Sequence, residues 1–266
     1  MTAGTGGVTG RAPAVSAHRG GGETAPPETY EAYRDALAAG AGCVEVDVRR
    51  TADGTLVAWH RARARGRAVA SVSYGRLCAL AGYEVPRLAA VMALLAGRAV
   101  CHLDLKDAGC AAAAVAQAAG VAGPAGVIAT TGDAALAAAL RRAFPAVPVG
   151  LTAGGDLAET ARYRLRRACM PRLSRLDRVL AAGAGWAVLH HRLAGAALLA
   201  ECRARGIRTM VWTVNGDREL TRWLATPGVD VLVTDCPARA VALRGRLAAG
   251  RAGAPGASWS DATVRI

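Results

Sequence analysis

Short apolar runs alternate with alanine-rich helical patterns along most of the chain, and this alternation limits the possible folds more than any other feature. Eight runs have the length and aliphatic content of buried parallel strands, and they span Ala14–His18, Cys43–Val48, Ala99–Leu105, Gly126–Thr130, Val147–Leu151, Trp186–His190, Arg208–Val214 and Val231–Thr234. Helical patterns fill most of the intervals, for example Glu28–Ala39, Ala111–Ala119, Asp133–Ala143, Ala194–Arg205 and Arg218–Ala225. Eight strand–helix repeats predict an α/β protein with a TIM (β/α)8 barrel, and an open doubly wound sheet is the alternative.

The 266 residues suit a single domain with a full hydrophobic core. Residues 1–12 are rich in Gly and Thr, which predicts a flexible N-terminus, and we expect the barrel to occupy residues 13–247. Residues 248–266 are rich in Gly, Ala, Pro and Ser, a composition typical of a disordered tail. The run Leu56–His60 follows an Asp-Gly turn and predicts an extra short strand beside the second one.

Arginine gives the chain a net charge of +13 and a pI near 10.4, which favours anionic partners such as phosphate esters or an anionic membrane. The chain has no nucleic-acid-binding motif and only 4% aromatic residues, so we expect no nucleic-acid partner. Seven cysteines without a C-x-x-C pair predict buried thiols in a reducing compartment. We recognise no signal peptide or transmembrane span, so we expect a cytoplasmic protein; the oligomeric state has no sequence signal.

Polar side chains gather at the predicted strand ends, where the catalytic groups of a TIM barrel stand. Glu45 and Asp47 are two residues apart on one strand and therefore point to the same side. Asp104 brings a third carboxylate from the neighbouring strand, and oxygen ligands of this kind suit Mg²⁺ or Ca²⁺. The alternative is that Glu45 and Asp47 pair with Arg49 and Arg50.

Histidines and cations accompany these carboxylates. His18 and His60 both end strands and can share general acid and base roles. Arg19 and Lys106 supply positive charge for a phosphoryl group, and Lys106 is the only lysine in the chain. Among the other histidines, we expect His102 in the core and place residues 190–191 at the same mouth without a role.

Four segments resemble the glycerophosphodiester phosphodiesterase family. AHRGGGETAPPETYEAYRDAL resembles its HRG…PENT signature, and VEVDVRRTADGTLVAWH resembles its E-x-D segment with the following strand that ends in His. HLDLKD resembles its E-L-K segment, with Asp104 in place of the usual Glu, and VWTVNGDRELTRWLATPGVDVLVTDCP resembles its last two strands. The resemblance extends from about Ala14 to Leu243, and the order and spacing of the segments make it specific.

The resemblance implies a TIM barrel that cleaves glycerophosphodiesters to sn-glycerol 3-phosphate and an alcohol with a divalent metal. It implies these roles: metal ligands Glu45, Asp47 and Asp104; acid and base His18 and His60; phosphate contacts Arg19 and Lys106; and an apolar wall for glycerol at Trp212. Two other readings stay open. One is a phosphoester-binding barrel without turnover, and the other is a related phosphodiesterase that acts on a lysophospholipid or phosphoinositide.

Three departures from the family pattern carry expectations of their own. PENT is replaced by Pro26-Pro27-Glu28-Thr29, and because one position on a helix rotates a side chain by about 100°, we expect Glu28 to be displaced from the site. Arg61 replaces the Asp that usually follows the second histidine. The loop RARARGRAVASVS is short and very basic, which predicts weak contact with an anionic membrane surface.

Overall fold

The computed structural model describes residues 12–153 and 173–252. Its strands are β1 (Ala14–Ala17), β2 (Cys43–Arg50), β3 (Leu56–Ala58), β4 (Arg63–Ala64), β5 (Arg67–Ala68), β6 (Val100–Leu105), β7 (Val127–Thr131), β8 (Val149–Ala153), β9 (Trp186–His190), β10 (Arg208–Trp212) and β11 (Val231–Thr234). Its α-helices are α1 (Tyr30–Ala38), α2 (Tyr74–Ala81), α3 (Leu88–Leu95), α4 (Ala108–Ala122), α5 (Ala134–Ala143), α6 (Leu173–Ala181), α7 (Ala196–Ala204), α8 (Asp217–Leu224) and α9 (Pro237–Ala252).

Eight parallel strands close into a barrel. The order is β1-β11-β10-β9-β8-β7-β6-β2, and the ring closes because β1 pairs with β2 as well as with β11. β3 pairs antiparallel with the outer end of β2, as the extra strand was predicted to do. The prediction of a TIM barrel is therefore confirmed, and the open doubly wound sheet is wrong.

Side chains of β2 alternate between two cores, as the period of two in a strand requires. Val44, Val46 and Val48 belong to the large apolar cluster that packs the barrel against its helices. Cys43 belongs to a separate cluster that fills the barrel interior. The other buried members of this cluster come from β7, β9, β10 and β11. Because Glu45 and Asp47 share the parity of Cys43, the same alternation turns both carboxylates inward.

Helix starts follow from local capping chemistry. The side chains of Thr29, Ser73, Asp107 and Asp133 each accept a hydrogen bond from a backbone N–H in the first turn of α1, α2, α4 and α5. Such caps satisfy N–H groups that have no partner within the helix. Three of these helices, α1, α4 and α5, therefore begin within a few residues of the predicted positions.

The differences from the predicted bounds have physical reasons. β8 begins at Val149 because Pro148 has no N–H to donate to the sheet. α9 continues to Ala252, so the tail predicted from 248 is helical in its first residues, which are mostly good helix formers. The β4–β5 hairpin was not predicted, since its strands have only two residues each and RARARG contains no β-branched or aromatic residue. The predicted flexible N-terminus up to residue 11 and the tail beyond 252 lie outside the described residues.

Within the described ranges, no helix is both long and apolar enough to cross a membrane.

Candidate active site

A cavity of about 520 Å³ opens at the carboxyl ends of the barrel strands. The predicted site residues on its lining are His18, Arg19, Glu45, His60, Asp104, Lys106 and Trp212. Asp47 lies just behind this lining and is 1% exposed. The barrel thus brings together side chains from five strand ends, those of β1, β2, β3, β6 and β10, which is where a TIM barrel assembles its chemistry.

Three carboxylates converge on one side of the cavity. Glu45 and Asp47 come from β2, Asp104 faces Asp47 across the pairing of β2 with β6, and their oxygens lie within 4.8 Å of one another. Burial and the charges of Asp47 and Asp104 raise the pKa of Glu45 well above its ordinary value. Such crowding of acidic groups stores repulsion that a cation relieves.

Cations lie against the same carboxylates. The Lys106 Nζ is 3.0 Å from Asp47 Oδ1 and also contacts Asp104 Oδ2, and the Arg19 Nε is 3.1 Å from Asp47 Oδ2. Burial raises the pKa of Asp47, but the His60 hydrogen bond and the two cations outweigh burial and hold that pKa below its ordinary value. Burial lowers the pKa of Lys106, and the surrounding carboxylates reverse this into a net rise. The alternative pairing of Glu45 and Asp47 with Arg49 and Arg50 is not formed.

His60 is held between Asp47 and Arg19. Its Nδ1 lies 2.7 Å from Asp47 Oδ2, and its Nε2 lies 3.1 Å from the Arg19 Nη2. A guanidinium only donates, so Nε2 accepts and Nδ1 carries the proton that is donated to Asp47. The Arg49 Nε also donates to the His60 carbonyl at 3.0 Å. This histidine therefore has a fixed tautomer and a fixed orientation.

His18 is oriented by a pair of residues to which the sequence argument gave no role. Its Nδ1 donates to Asp235 Oδ1 at 2.6 Å, and Asn215 Nδ2 donates to the other oxygen of Asp235 at 2.6 Å. Burial raises the pKa of Asp235, but the bonds from His18 and Asn215 outweigh it and keep that pKa below its ordinary value. The only sequence signal was that residues 215 and 235 follow β10 and β11, and β11 is the strand beside β1.

Glu28 corrects the expectation drawn from the shifted PENT motif. Its carboxyl lies within 4.8 Å of the ligand atoms of Asp47 and His60, so it belongs to the site. α1 begins only at Tyr30, and Glu28 has φ 64°, so the helical rotation of about 100° does not apply to it. Burial and the charge of Asp47 raise the pKa of Glu28 to about 7.

The segment that follows His18 is shaped by left-handed backbone. Arg19 has φ 55° and Gly20 has φ 82°. A Cβ on Gly20 would lie 2.9 Å from the backbone of Ala32 in α1. Glycine at this position therefore allows α1 to approach the cavity floor. The backbone of Arg19 makes two hydrogen bonds: its N–H donates to Glu45 Oε2 at 2.8 Å, and its carbonyl accepts from the Glu28 N–H at 2.9 Å. These two bonds hold Glu45 and Glu28 beside the end of β1, in a turn whose left-handed backbone glycine favours.

The carboxylate set fits a divalent metal ion. Its donors are all oxygens, and the buried Asp47 Oδ1 has an ion pair with Lys106 but no hydrogen bond of good geometry. Hard oxygen ligands without a thiolate or imidazole suit Mg²⁺ or Ca²⁺ rather than a soft transition metal. Glu45, Asp47 and Asp104 are therefore the residues that could hold such an ion.

The remaining wall of the cavity is formed by aromatic and imidazole rings. His190 stacks on His191 with ring centroids 4.4 Å apart and meets Trp212 edge-on at 5.2 Å. His102 is buried as expected, but it also lines the cavity and bonds Thr130 Oγ1 at 3.0 Å. Burial lowers the pKa of His102 to about 4, so this ring is neutral near pH 7.

Comparison with known proteins gives consistent results. The family model described as "Glycerophosphoryl diester phosphodiesterase family" matches residues 18–73 and 98–239. A structure from Silicibacter pomeroyi DSS-3 that bears the same enzyme name is 25% identical, with a TM-score of 0.74 over 89% of this chain and 94% of that chain. One from Agrobacterium tumefaciens is 20% identical, with a TM-score of 0.78 over 90% and 100%.

A third similar structure was solved with a ligand. It is a phosphodiesterase from Oleispira antarctica in complex with the product sn-glycerol-3-phosphate; it is 17% identical, with a TM-score of 0.68 over 87% of this chain and 96% of that chain. No curated protein matches the chain.

The closed barrel and the acidic mouth with its two oriented histidines define a phosphodiesterase of the TIM-barrel class. Within that class, the chain belongs to the glycerophosphoryl diester phosphodiesterase family, because the family model matches well over half of its length. The predicted family membership and enzyme class are thereby confirmed.

Proposed function

We propose that the protein hydrolyses glycerophosphodiesters to sn-glycerol 3-phosphate and an alcohol, with Mg²⁺ or Ca²⁺ held by Glu45, Asp47 and Asp104. One observation carries the proposal: the three carboxylates form one cluster, and the two flanking histidines are each oriented by an aspartate. When bound, the ion would neutralise charge on the diester and polarise an oxygen. The product complex of the Oleispira antarctica protein supports this substrate class.

His18 and His60 are the proposed acid and base. Each ring donates its Nδ1 proton to a carboxylate, so Nε2 is the atom that exchanges a proton with the substrate. In His60 this exchange requires Arg19 to release Nε2 when its guanidinium turns to the phosphate. One histidine removes the proton of the nucleophile, either water or the glycerol hydroxyl through a cyclic phosphate. The other histidine enters with Nε2 protonated and gives that proton to the leaving alkoxide. On the cyclic-phosphate route, attack by water reverses both transfers and restores the two rings. After direct attack by water, the rings recover their starting forms by proton exchange with solvent.

Arg19 and Lys106 are the proposed phosphate contacts, and Trp212 is the proposed wall for glycerol. Both cations line the cavity while bound to Asp47, so a diester oxygen beside that carboxylate would meet a guanidinium and an ammonium. Charge-assisted donors of this kind stabilise the extra negative charge of a phosphoryl transition state. The indole of Trp212 offers the apolar surface on the opposite side.

Exposed arginines and free cysteines support proposals about membrane contact and cellular compartment. Arg61, Arg63, Arg65 and Arg67 are exposed on and around the β4–β5 hairpin, directly after His60, which supports weak contact with an anionic membrane surface. Six cysteines of the described ranges are free thiols, which supports a reducing compartment such as the cytoplasm.

Activity on a panel of head groups tests the proposed function. Purified protein should release sn-glycerol 3-phosphate from at least one of glycerophosphocholine, glycerophosphoethanolamine and glycerophosphoglycerol with Mg²⁺, Ca²⁺ or Mn²⁺. His18→Ala and His60→Ala should each lower kcat by about 100-fold or more, while Arg63→Ala, on the exposed hairpin, serves as the control. Full activity in both histidine variants would contradict the assigned acid and base.

A further inference from the structure

The end of β9 carries a cation that the proposed chemistry does not use. Three arginine and lysine side chains of the described ranges line the cavity: Arg19, Lys106 and Arg192. Arg19 and Lys106 are both bound to Asp47. Among the residues that the structure describes, no carboxylate forms an ion pair with Arg192, which is exposed. A guanidinium on a cavity wall without a counter-charge is suited to an anion of the ligand.

The backbone fixes the position of this wall. The His191 N–H donates to the Trp212 carbonyl at 2.8 Å, and the Leu193 N–H donates to the His190 carbonyl at 2.8 Å. The Arg192 N–H donates to His190 Nδ1 at 3.3 Å, so in the neutral ring the proton is on Nε2. The stacking of His190 on His191 and its edge-on contact with Trp212 also hold this segment in place. The end of β9 therefore presents the His190 Nε2–H and the Arg192 guanidinium side by side.

The wall lies across the barrel from the carboxylate cluster. In the closed ring of eight strands, β9 is reached from β2 through β6, β7 and β8, and it is therefore opposite β2. A phosphodiester seated at Glu45 and Asp47 thus leaves the far side of the cavity for another part of the substrate. The cavity volume of about 520 Å³ lies in the range of about 300–1,000 Å³ that is typical of sites for whole small molecules.

We propose that Arg192, with His190 and His191, binds a phosphomonoester carried by the alcohol portion of the glycerophosphodiester substrate. The inference rests on the proposed function and deepens it by naming the preferred substrate class, a diester with a second phosphate. The planar guanidinium donates to two phosphate oxygens at once, and the His190 Nε2–H donates to a phosphate oxygen beside it. The carbon skeleton of the alcohol spans the cavity between the two phosphates.

A matched pair of substrates tests this inference. Glycerophosphoinositol and glycerophosphoinositol 4-phosphate differ by one phosphomonoester, and we expect the wild-type kcat/KM to be about tenfold higher for the phosphorylated substrate. Arg192→Gln should bring the ratio close to one, mainly through KM. Arg205→Gln removes the same charge at the far end of the barrel, where Arg205 pairs with Glu201, and should keep the ratio. Equal wild-type values, or an unchanged ratio in Arg192→Gln, would overturn the inference.

A binding measurement keeps the inference testable apart from turnover. In the His18→Gln background, calorimetric titration should show glycerophosphoinositol 4-phosphate binding about tenfold more tightly than glycerophosphoinositol. Adding Arg192→Gln should abolish that difference in affinity. Equal affinity of the His18→Gln protein for the two ligands would refute the subsite. Absence of turnover with intact selective binding would contradict only the proposed hydrolysis, so the two failures are distinguishable.

Discussion

At the scale of single residues, the only lysine of the chain has a place that its chemistry explains. The Lys106 ammonium contacts Asp47 and Asp104 at once. An ammonium is a compact point charge that fits between two buried carboxylates, whereas a guanidinium is a wide planar fork. All the remaining basic positions, histidines aside, are arginine. The chain therefore has its one lysine where the space between two carboxylates is small.

Lys106→Arg tests this explanation. The substitution keeps the charge, but the fork cannot contact both carboxylates in the same space, so we expect kcat to fall by about tenfold or more. Arg63→Lys, on the exposed β4–β5 hairpin, is the reverse exchange at a control position and should leave kcat unchanged. Wild-type turnover by Lys106→Arg would show that charge alone suffices.

Asp235→Asn tests the orientation of His18. The carboxylate accepts the Nδ1 proton and stabilises the charged ring when His18 takes up a second proton, and an amide does neither equally well. We expect kcat to fall by about 100-fold, with a melting temperature close to that of the wild type. A kcat within twofold of wild type would mean that the hydrogen bond has no part in turnover.

Glu28 predicts a dependence of stability on pH. The pKa of Glu28 is raised from an ordinary value of 4.5 to about 7 in the folded protein. Protonation of Glu28 therefore adds to the free energy of unfolding; this contribution is fully present below pH 4.5 and is lost as pH rises through about 7. In metal-free buffer, wild type should lose on the order of 2 kcal/mol of unfolding free energy relative to Glu28→Gln between about pH 5 and 8.

Denaturant unfolding of the variants across that pH range measures the effect. Glu31→Gln is the matched control, because Glu31 is exposed on α1 and its side chain has 68% relative exposure. A difference between wild type and Glu28→Gln that does not change with pH would contradict the assigned titration.

At the scale of elements, the turn between β1 and α1 requires glycine for a reason that can be isolated. Gly20 and Gly66 share φ near +82°, but a Cβ would meet the Ala32 backbone at 2.9 Å in the first case and nothing within 4 Å in the second. We expect Gly66→Ala to cost about 1 kcal/mol of unfolding free energy from backbone strain alone. Gly20→Ala should cost about 3 kcal/mol, since a backbone clash adds to the strain. Equal losses would show that α1 does not pack as closely as described.

The elements also show how far sequence reasoning reaches. Apolar runs predicted the eight barrel strands with ends shifted by a few residues, because burial on both faces leaves a strong local signal. The β4–β5 hairpin was missed, since its strands are only two residues long and carry exposed arginines. Glu28 was misplaced because a non-glycine residue with φ 64° has no local sequence signature.

At the scale of the whole molecule, barrel closure explains which site features could be predicted. Any polar group at a strand end of a TIM barrel faces the same mouth, so the carboxylates and both histidines could be named before their positions were known. Specific partners could not be named in this way. The bond from His18 to Asp235 joins residues separated by 217 positions, and it exists only because β1 closes the ring against β11.

Hydrolysis by this protein should depend on a metal ion at Glu45, Asp47 and Asp104. The most direct test is the release of sn-glycerol 3-phosphate from a glycerophosphodiester that the head-group panel shows to be cleaved, by one preparation before EDTA, after EDTA, and after excess Mg²⁺ or Ca²⁺. We predict activity in the first state, loss of at least about 100-fold in the second and recovery in the third. Undiminished release in EDTA by a preparation shown to be free of metal would mean that hydrolysis needs no metal ion.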